Sequence, residues 1–168
     1  CILILFAGHA TTVNLIGNGT LALLRHPEQW ALLRSNPDLI KSAVEELLRY
    51  DSSIQMTTRI ATEDLAFGGQ KVRKGQEVFL LLGAANRDPE QFPDPDRLDI
   101  TRADNRHLAF GGGVHRCLGS HLARLELRVA LREWHKRIPE YELADGAVLE
   151  YTTGIRSIDH FPMVLSKA

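Results

Sequence analysis

The stretch FGGGVHRCLG, residues 110–119, running into SHLARLELRVALREWHKRI, residues 120–138, decides how the rest of the chain is read. Four glycines surround one cysteine, Cys117. The backbone there can turn tightly and approach a flat ligand where Cβ atoms would collide. The following residues carry Leu122, Leu125, Val129 and Trp134 on or near one face of a helix. Cys117 therefore precedes a helix N-terminus, whose free amides favour a thiolate. An exposed thiolate in a glycine cradle is a nucleophile or a metal ligand. The other reading is a buried apolar cysteine in a structural loop. Structural zinc lacks its second pair of soft ligands, and a Cys–His hydrolase built on His115 lacks a third orienting group.

The chain around this loop has 168 residues, with 20 Lys plus Arg against 21 Asp plus Glu and a net charge of -1. That near balance removes any long-range pull toward nucleic acid or an anionic membrane. With 44% hydrophobic and 24% charged residues, the composition is that of a soluble domain able to bury a sizeable core. Cys1 and Cys117 do not make a disulfide framework, so a reducing compartment, the cytoplasm, is expected.

CILILFAGHATTVNLIGNGTLALLR, residues 1–25, has no charge before Arg25 and no signal-peptide pattern. His9, Thr11, Thr12, Asn14, Asn18 and Thr20 would all lose water in lipid, so no membrane span is expected. The expectation is a helix buried on most sides, and a chain that is the later part of something larger. A short helix over 28–34 follows, then another from Asn36-Pro37-Asp38 to about Tyr50, with Leu39, Ala43, Leu47 and Tyr50 at helical spacing. Residues 58–62 and 78–82 read as extended, with turns at Gly68-Gly69 and Lys74-Gly75. NRDPEQFPDPDRLD, residues 86–99, holds three prolines in fourteen residues and reads as an irregular surface connection. After Pro139 come short strands, with a hairpin expected at Asp145-Gly146 and a last strand near 161–165. The fold class is mainly α with small β hairpins.

Phe110, Gly111, Gly113, His115, Cys117 and Gly119 together resemble the haem-binding motif of the cytochrome P450 family, F-G-x-G-x-H-x-C-x-G. The resemblance implies haem b with the Cys117 thiolate as its iron ligand and His115 bonded to a haem propionate. Glu46-Leu47-Leu48-Arg49 is similar to the family's ExxR element, and Arg97 in Pro95-Asp96-Arg97-Leu98 to the arginine of its meander. By the same resemblance these three form a buried ion network that is scaffold and not catalyst. Arg59, in TTRIATED, resembles a second propionate arginine. AGHATT, residues 7–12, resembles the oxygen groove of the family's central helix, with Gly8 opening the wall and Thr11 bonding dioxygen or the water that protonates it. The family pattern has an acid where this chain has Ala10.

The resemblance extends over residues 1–168 as the C-terminal haem-thiolate part of the fold: central helix, ExxR helix, meander, cysteine loop and following helix, with the N-terminal half absent. It implies a monooxygenase that inserts one atom of dioxygen, the cosubstrate, into a small organic substrate. His9, Met56, Thr57, Thr153 and Ile155 are the substrate-pocket candidates. Arg124, Arg128 and Arg132 repeat every four residues and are either a solvated face or a docking surface for a donor of the ferredoxin and ferredoxin reductase type. The alternatives are a peroxide-driven oxidase, which Ala10 keeps open, and a fragment that binds no haem, partnered by the absent half or a second copy.

Overall fold

The computed structural model describes residues 1–152 and 154–166. Helix α1 (Ile2–Arg25) is followed by α2 (Pro27–Ser35), with proline in the first turn, where its missing N–H costs nothing. A 3-10 turn (Pro37–Leu39) leads into α3 (Ile40–Tyr50). Strands β1 (Thr57–Ile60), β2 (Leu65–Phe67), β3 (Gln70–Val72) and β4 (Glu77–Leu80) come next, then one helical turn, α4 (Leu82–Ala85). The irregular stretch and the cysteine loop lead to α5 (Ser120–Arg137), β5 (Glu140–Leu143) and β6 (Met163–Ser166).

Helices α1, α3 and α5 contact one another and enclose the core. Leu15, Leu23, Ala43, Val44, Leu47, Leu48, Leu127 and Leu131 form it together with Leu98 of the irregular stretch and Ile100 just past it. That stretch is thus irregular, as its prolines predict, yet Asn86, Phe92 and Leu98 within it are fully buried. Among the described residues the strands form three antiparallel pairs: β1 with β4, β2 with β3, and β5 with β6. The β2–β3 turn uses Gly68 and Gly69 at φ 56° and 77°. Two successive left-handed residues suit the twist of a two-residue hairpin.

Four expectations are corrected. Helix α1 is not buried on most sides along its length: burial begins at Thr12, and Ile2–Phe6 are 59–85% exposed. The elements in contact with it, α2, α3 and α5, cover its C-terminal half. The apolar run 78–82 splits, because Leu81 ends the strand and Leu82 opens α4, where Gly83 N–H bonds Gln55 carbonyl. Asp145-Gly146 does turn the chain, with Gly146 at φ 72°, but β5 pairs with β6 rather than with the residues just past the turn. On α5 the buried side chains are Leu127 and Leu131, while Leu122, Leu125 and Val129 are 42–58% exposed.

Candidate functional site

A cavity of about 300 Å³ lies between the N-terminal half of α1 and the cysteine loop. One wall is Ala7, Gly8, Thr11 and Thr12; the other is Phe110, Gly111, His115, Cys117 and Gly119. Thr57 and Arg59 of β1 line it as well. A Cβ on Gly8 would meet nothing within 4 Å, so the helix wall is open there. Segments more than a hundred residues apart in sequence therefore face one space.

The loop is shaped by its own backbone. Gly111 and Gly113 sit at φ 66° and 62°, which side-chain-bearing residues avoid. Gly111 N–H bonds Leu108 carbonyl at 2.8 Å, and Cys117 N–H returns to Phe110 carbonyl at 2.9 Å. A 3-10 turn, Gly113–His115, raises His115 between them. Cys117 is exposed, which removes the reading of a buried apolar cysteine. Among the described residues no group of three His, Cys, Asp or Glu could enclose a metal ion. A single sulfur donor suits a metal that arrives with its other ligands attached.

Arg59 is exposed at the cavity, its Nη1 donating to Thr58 carbonyl at 2.7 Å and to Thr57 Oγ1 at 3.3 Å. Thr11 Oγ1 donates to Ala7 carbonyl at 2.8 Å, the usual mid-helix bond of a threonine. Ala10 does not line the cavity, and the carboxylate that does is Glu126 of α5, which the sequence reading passed over. Of the substrate-pocket candidates, Thr57 lines the cavity. His9 does not line the cavity but lies in an adjoining groove with Val13, Leu125 and Val129, which shares Gly8, Thr12 and Glu126 with it. Met56 is 43% exposed and Ile155 bridges to Ile54, and neither lines the cavity. Thr153 lies outside the described residues.

Behind the loop, Glu46 and Arg49 are both fully buried and form a two-pronged pair, Nε to Oε2 at 2.8 Å and Nη2 to Oε1 at 2.9 Å. Arg49 also donates to the carbonyls of Asn86, Pro95 and Arg97 at 2.9, 2.8 and 3.1 Å. Arg97 thus enters this network through its backbone, and the expectation for its guanidinium is corrected. The second guanidinium on Glu46 belongs to Arg102, at 3.2 Å, with Asn105 Nδ2 and Asp99 N–H completing the shell. Asn86 Oδ1 accepts from Leu108 N–H at 2.7 Å and so joins the meander to the start of the loop.

The arginine stripe is corrected in part. Arg124 grips Glu45 with two hydrogen bonds, at 2.7 and 2.8 Å, and stacks 4.6 Å over the Phe110 ring. Its side chain is 16% exposed, and that of Arg128 33%. Arg132, at 63%, is the member of the stripe that faces water.

Comparison with known proteins agrees with this geometry. The family model described as Cytochrome P450 matches residues 1–134. The chain is 59% identical over 145 residues to the biotin biosynthesis cytochrome P450 of Bacillus subtilis (strain 168), a match covering 86% of this chain and 37% of that protein. It is 49% identical over 167 residues to the vitamin D(3) 25-hydroxylase of Pseudonocardia autotrophica, covering 97% and 41%. Among solved structures, P450BioI in complex with an acyl carrier protein ligated to hexadec-9Z-enoic acid superposes at a TM-score of 0.94 with 53% identity, over 99% of this chain and 44% of that one. CYP109E1 of Bacillus megaterium with testosterone gives 0.93 and 36%, over 99% and 46%. The chain spans about two-fifths of the length of these relatives. The thiol loop, the buried Glu–Arg scaffold behind it and these likenesses lead to one conclusion: the chain belongs to the cytochrome P450 family.

Proposed function

We propose that the chain is the C-terminal haem-thiolate part of a monooxygenase, and that the longer protein inserts one atom of dioxygen into a lipophilic organic substrate with electrons from a ferredoxin-type donor. The observation that carries this reading is the single cavity shared by the Cys117 loop and the Gly8–Thr12 wall of α1. The residues there fit haem b. Cys117 offers the one sulfur, Gly8 leaves the facing wall open, and Arg59 and His115 suit the two carboxylates. Bound haem would supply the activation of dioxygen.

The chain's own residues do the rest. Cys117 would ligate as the thiolate, and Arg59 and His115 would fix the orientation of the carboxylates through charge-assisted bonds. Thr11 holds one proton at Oγ1, directed at Ala7 carbonyl. To donate it into the cavity, Thr11 must release that carbonyl and accept a replacement proton from water. Ala10 cannot relay one, so the relay runs through water. The fatty-acyl, steroid and vitamin D names among the relatives support a lipophilic substrate. The cytoplasmic reading rests on the two free cysteines, Cys1 and Cys117, and on the balanced charge of the chain. Arg132 is the exposed cation to test for donor docking.

The test is turnover in the full-length protein, with product and peroxide both measured. The proposal expects product only when an electron donor is supplied, and a higher product-to-cofactor ratio in Ala10→Glu. Product formed readily from peroxide, and not from the donor, would shift the function to a peroxide-driven oxidase, the reading that Ala10 keeps open and the Thr11 hydroxyl argues against.

A further inference from the structure

Adjacent carboxylates on α3 divide the work of holding the site: Glu46 binds the meander, and Glu45 binds something else. Glu45 Oε1 accepts from Arg124 Nε at 2.7 Å, and its Oε2 from Arg124 Nη2 at 2.8 Å and His107 Nε2 at 3.1 Å. His107 lies ten residues before Cys117 and Arg124 seven after it. One carboxylate therefore joins the two ends of the cysteine loop to the same turn of α3.

Both arms reach the loop itself. His107 accepts from Ala109 N–H at Nδ1, 3.2 Å away, which leaves its Nε2–H to donate to Glu45. Its ring is nearly fully buried, at 3% exposure, so this orientation is held from all sides. The Arg124 guanidinium sits 4.6 Å over the ring of Phe110, whose carbonyl receives the Cys117 N–H at 2.9 Å. Burial works to raise the pKa of Glu45, but the hydrogen bonds from His107 and Arg124, with the Arg124 charge, bring it down to about 2. It is held as the anion, with Arg128 Nη2 a further cation 3.9 Å from its Oε1.

We propose that Glu45 is a positioning residue for the thiolate: through His107 and Arg124 it presets the Cys117 loop before any haem binds. This rests on the reading of Cys117 as the haem ligand, but its test does not. Amide hydrogen exchange is measured on the whole chain without haem, in wild type and Glu45→Gln. A glutamine turns an amide N–H toward Arg124 and breaks the fork. Loss of a charge-assisted bond then predicts ~10–100-fold faster exchange at Ala109, Gly111 and Cys117, with β1 and β4 amides unchanged. Arg124→Lys keeps the charge without the fork and carries the same test should Glu45→Gln fail to fold. On titration with haem and reduction under carbon monoxide, both variants should show a smaller thiolate-type fraction than wild type at equal haem content. Loop amides exchanging at wild-type rates in both variants, or an undiminished thiolate fraction, would overturn the proposal. A wild-type chain that shows no thiolate spectrum, with the amide effect intact, would count against the haem reading alone.

Discussion

Arg49 uses all five of its N–H groups: two on Glu46 and one each on the carbonyls of Asn86, Pro95 and Arg97. A guanidinium so enclosed cannot tolerate losing its counter-charge. Glu46→Ala should cost about 3–5 kcal/mol, the penalty of an unpaired buried charge. Arg102→Ala should cost more than Arg97→Ala, since only the Arg102 side chain reaches Glu46. Denaturant unfolding of the three variants checks this order, and equal losses for Arg97 and Arg102 would contradict it. The spacing of Glu46 and Arg49 is legible in sequence because a helix puts i and i+3 on one face. Choosing between Arg97 and Arg102 is not, because the meander has no periodicity and only its folded path decides which side chain turns inward. His107 and Glu45 were equally invisible, being ordinary residue types whose link spans 62 positions.

At the scale of elements, α5 shows what periodicity leaves open. Its leucines and valine recur around two faces, and sequence alone does not say which one meets α1 and α3. The structure buries Leu127 and Leu131, at 2% and 0% exposure. Leu131→Ala should therefore destabilise by about 2–5 kcal/mol. Leu125→Ala, at a residue 56% exposed, should change the chain's stability by about 0.5 kcal/mol or less. Thermal unfolding of the pair separates them, and a larger loss at Leu125 would mean that the helix packs on its other face. The helices themselves, the glycine turns and the irregular stretch were readable from apolar spacing, Gly pairs and prolines. The pairing of β5 with β6 was not, because turn residues report a reversal and not the partner strand.

For the whole molecule, the buried ionisable groups give one direction to the effect of acid. Burial, aided by the Arg34 charge, pushes His135 down from 6.5 to about 3. Folded His135 stays neutral while the unfolded chain takes up a proton, so its contribution is complete above about pH 6.5 and is lost as pH falls toward 3. Glu45, lowered from 4.5 to about 2, adds a further loss below about pH 4.5. The melting temperature should fall steadily between about pH 7 and pH 4, and His135→Phe should flatten the upper part of that fall. An unchanged slope in the variant would place the sensitivity elsewhere. The same packed core holds the cavity, and the central claim is that Cys117 there is a haem ligand. Its most direct measurement is the reduced, carbon-monoxide-bound spectrum of the full-length, haem-loaded protein beside that of its Cys117→Ser variant. The account predicts a thiolate-type band in the wild type that is lost in the variant; the same band in both, or no such band in either, would contradict it.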